Sequence, residues 1–249
     1  MPEAHTHLIL IVTLTFFLAG IVKGVTGMGL PTVAMGVLGA IMPPVAAASL
    51  LIIPSFVTNV WQLFAGRRFA ALAWRLWLML LGIVLGTVAG SWLLTTVNTR
   101  WTTTGLGIAL AVYAGFSLLA RPLSVPANVE RWIAPVVGLT TGLITGATGV
   151  FVIPAVPYLQ ALGLNKDDLI QALGLSFTIS TVALAIGLTR GGAFHLGSIT
   201  ASALAIVPAL LGMWFGQSVR QRISAATFRR WFLIFLALLG LELAIRPFL

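Results

Sequence analysis

The sequence predicts an all-α polytopic membrane protein made of two inverted repeats of about five hydrophobic segments each. Three observations carry that expectation. The 249 residues are 59% hydrophobic and only 8% charged, whereas globular chains carry about 25% charged residues and could not bury so much apolar surface. Apolar runs separated by short basic connections follow one another along the whole chain. A glycine-rich interruption also occurs twice, once in each half, flanked by the shortest of these runs.

In order, the runs fall at about 8–22, 30–42, 44–65, 72–97, 102–120, 133–146, 150–162, 168–189, 198–219 and 228–245. The stretch before the first has no basic region and no small-residue cleavage pattern, so a retained first segment is expected behind a short solvated tail with His5 and His7. The third, fourth and fifth runs of each half are long enough, or nearly so, to span as helices. The first two of each half have about 13 to 15 residues, against roughly 20 for a full crossing. They are broken or hairpin-like: half-helices forming a hairpin, or tilted helices extended through the glycines.

Connections set the orientation. The odd-numbered ones carry Lys23; Arg67, Arg68 and Arg75; Arg121 and Arg131; Lys166; and Arg220, Arg222, Arg229 and Arg230. The even ones and the two ends carry only Arg100, Arg190 and Arg246. Cations collect on the cytoplasmic side, so both termini are expected outside a bacterial inner (plasma) membrane. The net charge of +9 is therefore a topology signal, and no nucleic-acid partner is expected. With no cysteine in the chain, disulfides and thiolate metal sites are excluded.

Residues 1–122 form the first repeat, 123–131 a cytoplasmic linker and 132–249 the second. Gly86 and Gly90 correspond to Gly212 and Gly216, Ser49 to Ser176, and Arg121-Pro122 to Arg246-Pro247. An odd number of segments per half turns the second copy upside down. Hairpins entering from opposite sides would bring the two interruptions together near the midplane.

An anion crossing a bilayer must recover its lost hydration from the groups a helical protein can offer, which are helix N-termini, hydroxyls, amides and cations. The first interruption offers Lys23, Gly24, Thr26, Gly27, Gly29 and Pro31. Its glycines allow close backbone approach and its proline suits a helix start. Lys23 is either a midplane counter-charge or a side chain snorkelling to the headgroups, and the sequence leaves both open. Asn59 and Gln62 lie three apart on one face of the third segment. The second interruption supplies Thr145 in place of Lys23, Thr148 in place of Thr26, and Gly149. Ser176 and Thr178, with Ser180 and Thr181, line the eighth segment.

The glycine pattern is the point of resemblance to a known family. Gly20, Gly24, Gly27, Gly29 and Pro31, repeated as Gly142, Gly146, Gly149 and Pro154, resemble the sulfite exporter TauE/SafE family of membrane permeases. Pro54 to Gln62 and the Gly66-Arg67-Arg68-Phe69 turn are similar to it as well. The second copy departs from the pattern at Val150 and Phe151, so the first interruption is expected to bind and the second to gate. The resemblance implies secondary transport of a small sulfur-containing anion such as sulfite or an organosulfonate, with the two copies rocking about the site. An anion channel, or a carrier of another small organic anion, is the alternative.

No cofactor, metal or enzymatic residue set is expected, and there is no HExxH-type cluster. The partners are the anionic substrate and the lipid bilayer, and a homodimer is left open. Acidic residues are nearly absent from the interiors of the apolar runs, only Glu242 falling inside one beyond its first residue, which argues for potential-driven export or exchange without a buried carboxylate relay. Trp74, Trp77, Trp101, Trp132 and Trp231 read as interface anchors, Trp61 and Trp214 less clearly so. His195 beside Arg190 is read as a solvated loop residue.

Overall fold

A computed structural model describes residues 2–119, 123–194, 196–220, 222 and 224–248. Every element among them is helical: α1 (Pro2–Thr26), α2 (Leu30–Gly39), α3 (Pro44–Phe64), α4 (Phe69–Thr96), α5 (Thr99–Leu119), α6 (Ala127–Thr148), α7 (Ala155–Ala161), α8 (Lys166–Arg190), α9 (Leu196–Leu204), α10 (Ile206–Val219) and α11 (Ala225–Ile245), ending in a 3-10 turn, Arg246–Phe248. Among the described residues, seven segments are long and apolar enough to cross a membrane, drawn from α1, α3, α4, α5, α8, α9 with α10, and α11. His195 and Arg121-Pro122 lie outside the described residues.

Each expected run is found as helix, but the short pairs are not equal. The first member of each pair is long: α1 has 25 residues and α6 has 22, and both run helically through glycines that read as interruptions. The second members stay short, with 10 residues in α2 and 7 in α7. Alpha-helical rise of about 1.5 Å per residue gives α1 and α6 more than 30 Å, enough to cross, and α2 and α7 far less. The half-helix hairpin is thus replaced by a long helix followed by a short return. Helix α6 also takes in residues 127–131 of the expected linker.

Packing explains why helix persists through the glycines. A Cβ on Gly20 would lie 2.2 Å from the Ala209 carbonyl oxygen, and one on Gly24 would lie 2.3 Å from that of Met213. Helices α1 and α10 therefore meet backbone to backbone along a seam that only glycine permits. In α6, a Cβ on Gly142 would be 2.4 Å from the Ile83 oxygen, and one on Gly146 would be 2.4 Å from the Thr87 oxygen, which seals α6 to α4. Small residues at such seams drive helix association in lipid, where apolar side chains gain little by leaving the tails. The expected packing role of Gly82, Gly86 and Gly90 is met on the α4 side of the same seam.

The ninth run is divided at Ala205 into α9 and α10. Pro208 in the first turn of α10 has no N–H to return to Leu204, so the hydrogen-bond ladder stops there. All eight tryptophans face outward, Trp61 at 65% and Trp214 at 69% exposure included, so none of them lines an interior cage. At one end of the bundle, Arg68 pairs with Asp168 at 2.8 Å and Arg75 with Glu130 at 2.7 Å, joining odd-numbered connections. At the other end, Arg246 donates to the Ala40 carbonyl at 2.6 Å and Ser49 to that of Ala193 at 2.9 Å. These contacts group odd-numbered connections at one end and place Ala40, Ala193 and Arg246 at the other.

Candidate functional site

Both interruptions close their long helix in the same way. Gly27 adopts φ 79° and Gly149 φ 71°, the left-handed conformation that ends helices and suits glycine. The Gly27 N–H returns to the Lys23 carbonyl at 2.8 Å, and the Gly149 N–H to the Thr145 carbonyl at 2.7 Å. A threonine then holds the exit. The hydroxyl of Thr26 reaches the Val22 carbonyl at 2.8 Å and accepts from the Met28 N–H at 3.3 Å. Thr148 does the same with the Ile144 carbonyl at 2.7 Å and the Val150 N–H at 3.3 Å.

Beyond the threonines the copies diverge. Gly29, at φ 102°, caps α2 directly, with Pro31 in its first turn. In the second copy, Val150, Phe151 and Val152 form a fully buried apolar stretch before the seven-residue α7. The Phe151 ring packs 6.5 Å from that of Phe177 on α8.

The two interruptions do not meet. Gly27 lies beside the last turn of α3, where Gln62 donates to its carbonyl at 2.8 Å and to that of Ile170 near the start of α8 at 3.1 Å. Gly149 packs on Met35 near the end of α2, and Thr148 lies beside Gly105 in the first turns of α5. The end of α3 and the start of α5 are separated by the whole of α4, so the interruptions sit toward opposite ends of the bundle. Two long helices in place of two hairpins are the reason: each interruption comes at the end of a long helix, not halfway along a short pair. Thr145, Thr148 and Gly149 consequently fall away from Lys23. The Thr145 hydroxyl is used locally, donating to the Val150 carbonyl at 3.2 Å.

Lys23 is the centre of the first site. It is only 3% exposed and its ammonium donates to the Asn59 side-chain carbonyl. The snorkelling alternative is therefore not what the fold adopts. Asn59 in turn donates from its amide to Thr181 at 3.3 Å, and Thr181 donates to the Phe177 carbonyl at 2.7 Å. Among the described residues no carboxylate pairs with Lys23; Asp168, Glu130 and Glu242 are engaged with Arg68, Arg75 and Arg246. A buried ammonium facing only neutral oxygens retains an unmet need for negative charge, because leaving a buried charge without its partner costs about 3–5 kcal/mol.

Helix α3 brings Ser55, Asn59 and Gln62 onto one face at i, i+4 and i+7, all buried. Helix α8 packs against it with Ser176, Ser180 and Thr181 buried in turn. The Ser55, Ser176 and Ser180 hydroxyls, the Gln62 carbonyl and the Thr32 hydroxyl in the first turn of α2 have no hydrogen-bond partner. Thr178 instead donates back to the Gly174 carbonyl at 2.7 Å within its own helix. Sequence reasoning placed Thr181 on the right segment but did not single it out, since four hydroxyls there are equivalent until α3 selects one. Gln171 was missed altogether. It ties α8 to the α3–α4 turn by donating to the Leu63 carbonyl at 2.8 Å and accepting from the Arg68 N–H at 3.0 Å.

Lysine, amide and hydroxyls around a helix restart make a donor set suited to an oxyanion and unsuited to a metal cation. Among the described residues no three histidine, aspartate or glutamate side chains gather. No curated protein and no solved structure matches the chain. The sequence model of the family described as sulfite exporter TauE/SafE matches residues 12–243, which takes in both interruptions, Lys23, Asn59 and all the long helices. With that span matched, the chain belongs to the sulfite exporter TauE/SafE family of membrane permeases.

Proposed function

We propose that the protein is a secondary transporter of a bacterial inner membrane that exports small sulfur-containing anions, such as sulfite or organosulfonates, by alternating access. The observation that carries this reading is Lys23: a cation buried in the bundle, at a helix interruption, held by the Asn59 amide and matched by no carboxylate. A bound oxyanion would supply the missing charge, and the hydroxyls of Thr32, Ser55, Ser176 and Ser180 are free to donate to it. The absence of an acidic relay among the described helix interiors suits an electrogenic step. With the cytoplasm negative, moving one negative charge outward is favoured by about 2.3 kcal/mol per 100 mV.

An inverted two-fold arrangement of the halves is supported by register. Adding 122 maps α1 onto α6, and subtracting 126 maps α10 back onto α4. Gly20 against Ala209 and Met213 becomes Gly142 against Ile83 and Thr87. Gly24 against Met213 and Gln217 becomes Gly146 against Thr87 and Ser91. Gly212 against Phe17 and Ile21 becomes Gly86 against Leu139 and Leu143. Chance packing of unrelated helices has no reason to keep such a register. The basic ends joined by Arg68–Asp168 and Arg75–Glu130 are then cytoplasmic, and both termini external.

Reconstituted proteoliposomes loaded with labelled sulfite or ethanesulfonate, with the potential clamped by potassium and valinomycin, test the proposal. Saturable efflux that accelerates as the interior is made negative is the expected result, with loss of efflux in Lys23→Ala. Efflux of no sulfur anion under any potential would remove the substrate class. Non-saturating flux with unitary currents would make the protein a channel instead.

A further inference from the structure

Three cations from three different elements surround one cavity beneath the first interruption. Lys166 opens α8, Arg220 follows α10, and Arg229 lies in the early turns of α11. They line a space of about 300 Å³ whose inner wall includes Thr26 and Met28, the residues that leave α1 for α2. No acidic side chain lines it. Asp168, two residues after Lys166, is engaged elsewhere, accepting from Arg68 at 2.8 Å and from Asn165 at 2.9 Å. The Nε of Arg229 is buried and has no hydrogen-bond partner.

Like charges drawn around a common cavity repel one another, and a cleft lined by one sign concentrates counter-ions. The arrangement is stabilised by an anion and by nothing else on its walls. A space of this size sits at the lower end of small-ligand pockets, suited to an oxyanion of a few heavy atoms. Its position matters as much as its charge. The cavity adjoins Thr26 and Met28, and Lys23 is one helical turn back along α1 from the same exit.

We propose that Lys166, Arg220 and Arg229 form a second anion site, a cytoplasmic vestibule that takes a small sulfonate or similar oxyanion before it reaches Lys23. This rests on the exporter reading for its direction, but its chemistry stands on the vestibule alone. The occupant is a free oxyanion. A lipid phosphate would present the same chemistry, so the test separates the two.

The chain contains no cysteine, so one introduced thiol reports local charge without background. Gln160 lines the cavity and is exposed, which makes Gln160→Cys a mild substitution. In zwitterionic nanodiscs this thiol should react at least about tenfold faster with an ethylsulfonate methanethiosulfonate than with the trimethylammonium analogue. Adding Arg220→Gln and Arg229→Gln should erase that preference, and millimolar ethanesulfonate should slow the anionic reagent in the parent but not in the double variant. Equal rates with both reagents, or a preference that survives loss of both arginines, would overturn the site. Protection by phosphatidylglycerol in the nanodisc without protection by ethanesulfonate would overturn the free-anion occupant. Lys23→Met in the Gln160→Cys background should leave the preference unchanged while transport is lost, so failure of the deep site and failure of the vestibule give different results.

Discussion

The two glycine interruptions share a turn and differ in what precedes and follows it. Each ends a long helix with a left-handed glycine and holds the exit with a threonine hydroxyl, with matching distances. At the position one turn earlier, one carries Lys23 and the other Thr145. After the exit, one restarts a helix through Gly29 and Pro31, and the other runs on through Val150, Phe151 and Val152. The comparison separates what the fold needs from what the ligand needs. Glycine and threonine serve the turn and are kept in both. Charge, amide and helix restart appear in one copy only, beside Asn59.

The largest effect should come from the charge. Lys23→Met is expected to lower anion affinity by more than about 100-fold, measured by equilibrium binding of labelled sulfite, as expected for removing one partner of a buried charged contact. Its thermal unfolding temperature in detergent should hold or rise, because an unpaired buried charge is gone. Thr145→Val in the second copy should leave affinity within about twofold, since that hydroxyl serves Val150 locally. Equal losses in the two variants would break the comparison.

Asn59→Asp sharpens it from the other side. The carboxylate would pair with Lys23 and occupy the place of the anion. Transport should fall by about tenfold or more while stability increases, read as opposite movements of efflux rate and unfolding temperature. A variant that transports normally would mean that the anion does not depend on Lys23.

Glycine replacements probe what the copies share. Gly24→Ala and Gly146→Ala each force a Cβ to within 2.4 Å of a carbonyl oxygen across a seam, so both should destabilise by about 3 kcal/mol or fail to fold. The smallest effects are expected at the threonines: Thr26→Val and Thr148→Val should each cost about 1 kcal/mol of stability, equally in both copies. A clear inequality there would show that Thr26 has a task that Thr148 lacks.

Much of this was legible in the sequence because lipid imposes simple rules. Apolar runs, basic connections and the correspondence of Gly86 and Gly90 with Gly212 and Gly216 identified the elements and their alternation. Asn59 and Gln62 were recoverable from their spacing on one helical face, whereas Lys23 stood out only as a charge at the interruption, and its burial and contact with Asn59 were not legible. Nor was the length of α1 and α6, because a glycine inside a membrane helix has two meanings. Gly20 and Gly24 disfavour helix by about 1 kcal/mol each in isolation, yet they also allow the backbone approach to α10 that keeps α1 helical. Which meaning holds depends on a partner some 190 residues away. The separation of the interruptions followed from the same ambiguity. Thr181 was hidden among chemically identical neighbours, and Gln171 lay outside any pattern.

The glycine seams have a consequence for how the protein moves. Each seam joins one helix from the first half to one from the second: α1 to α10, α4 to α6, and α5 to α11 through Gly107 and Gly240. Backbones in direct contact slide poorly, so each sealed pair behaves as one stiff plank. Under the proposed alternating access, the moving bodies would not be the two sequence halves, because these three seams each tie one half to the other. Motion is left to the places where such seams are missing, around the short helices α2 and α7, since α8 also meets the end of α3 backbone to backbone, where a Cβ on Gly174 would lie 2.7 Å from the Leu63 nitrogen.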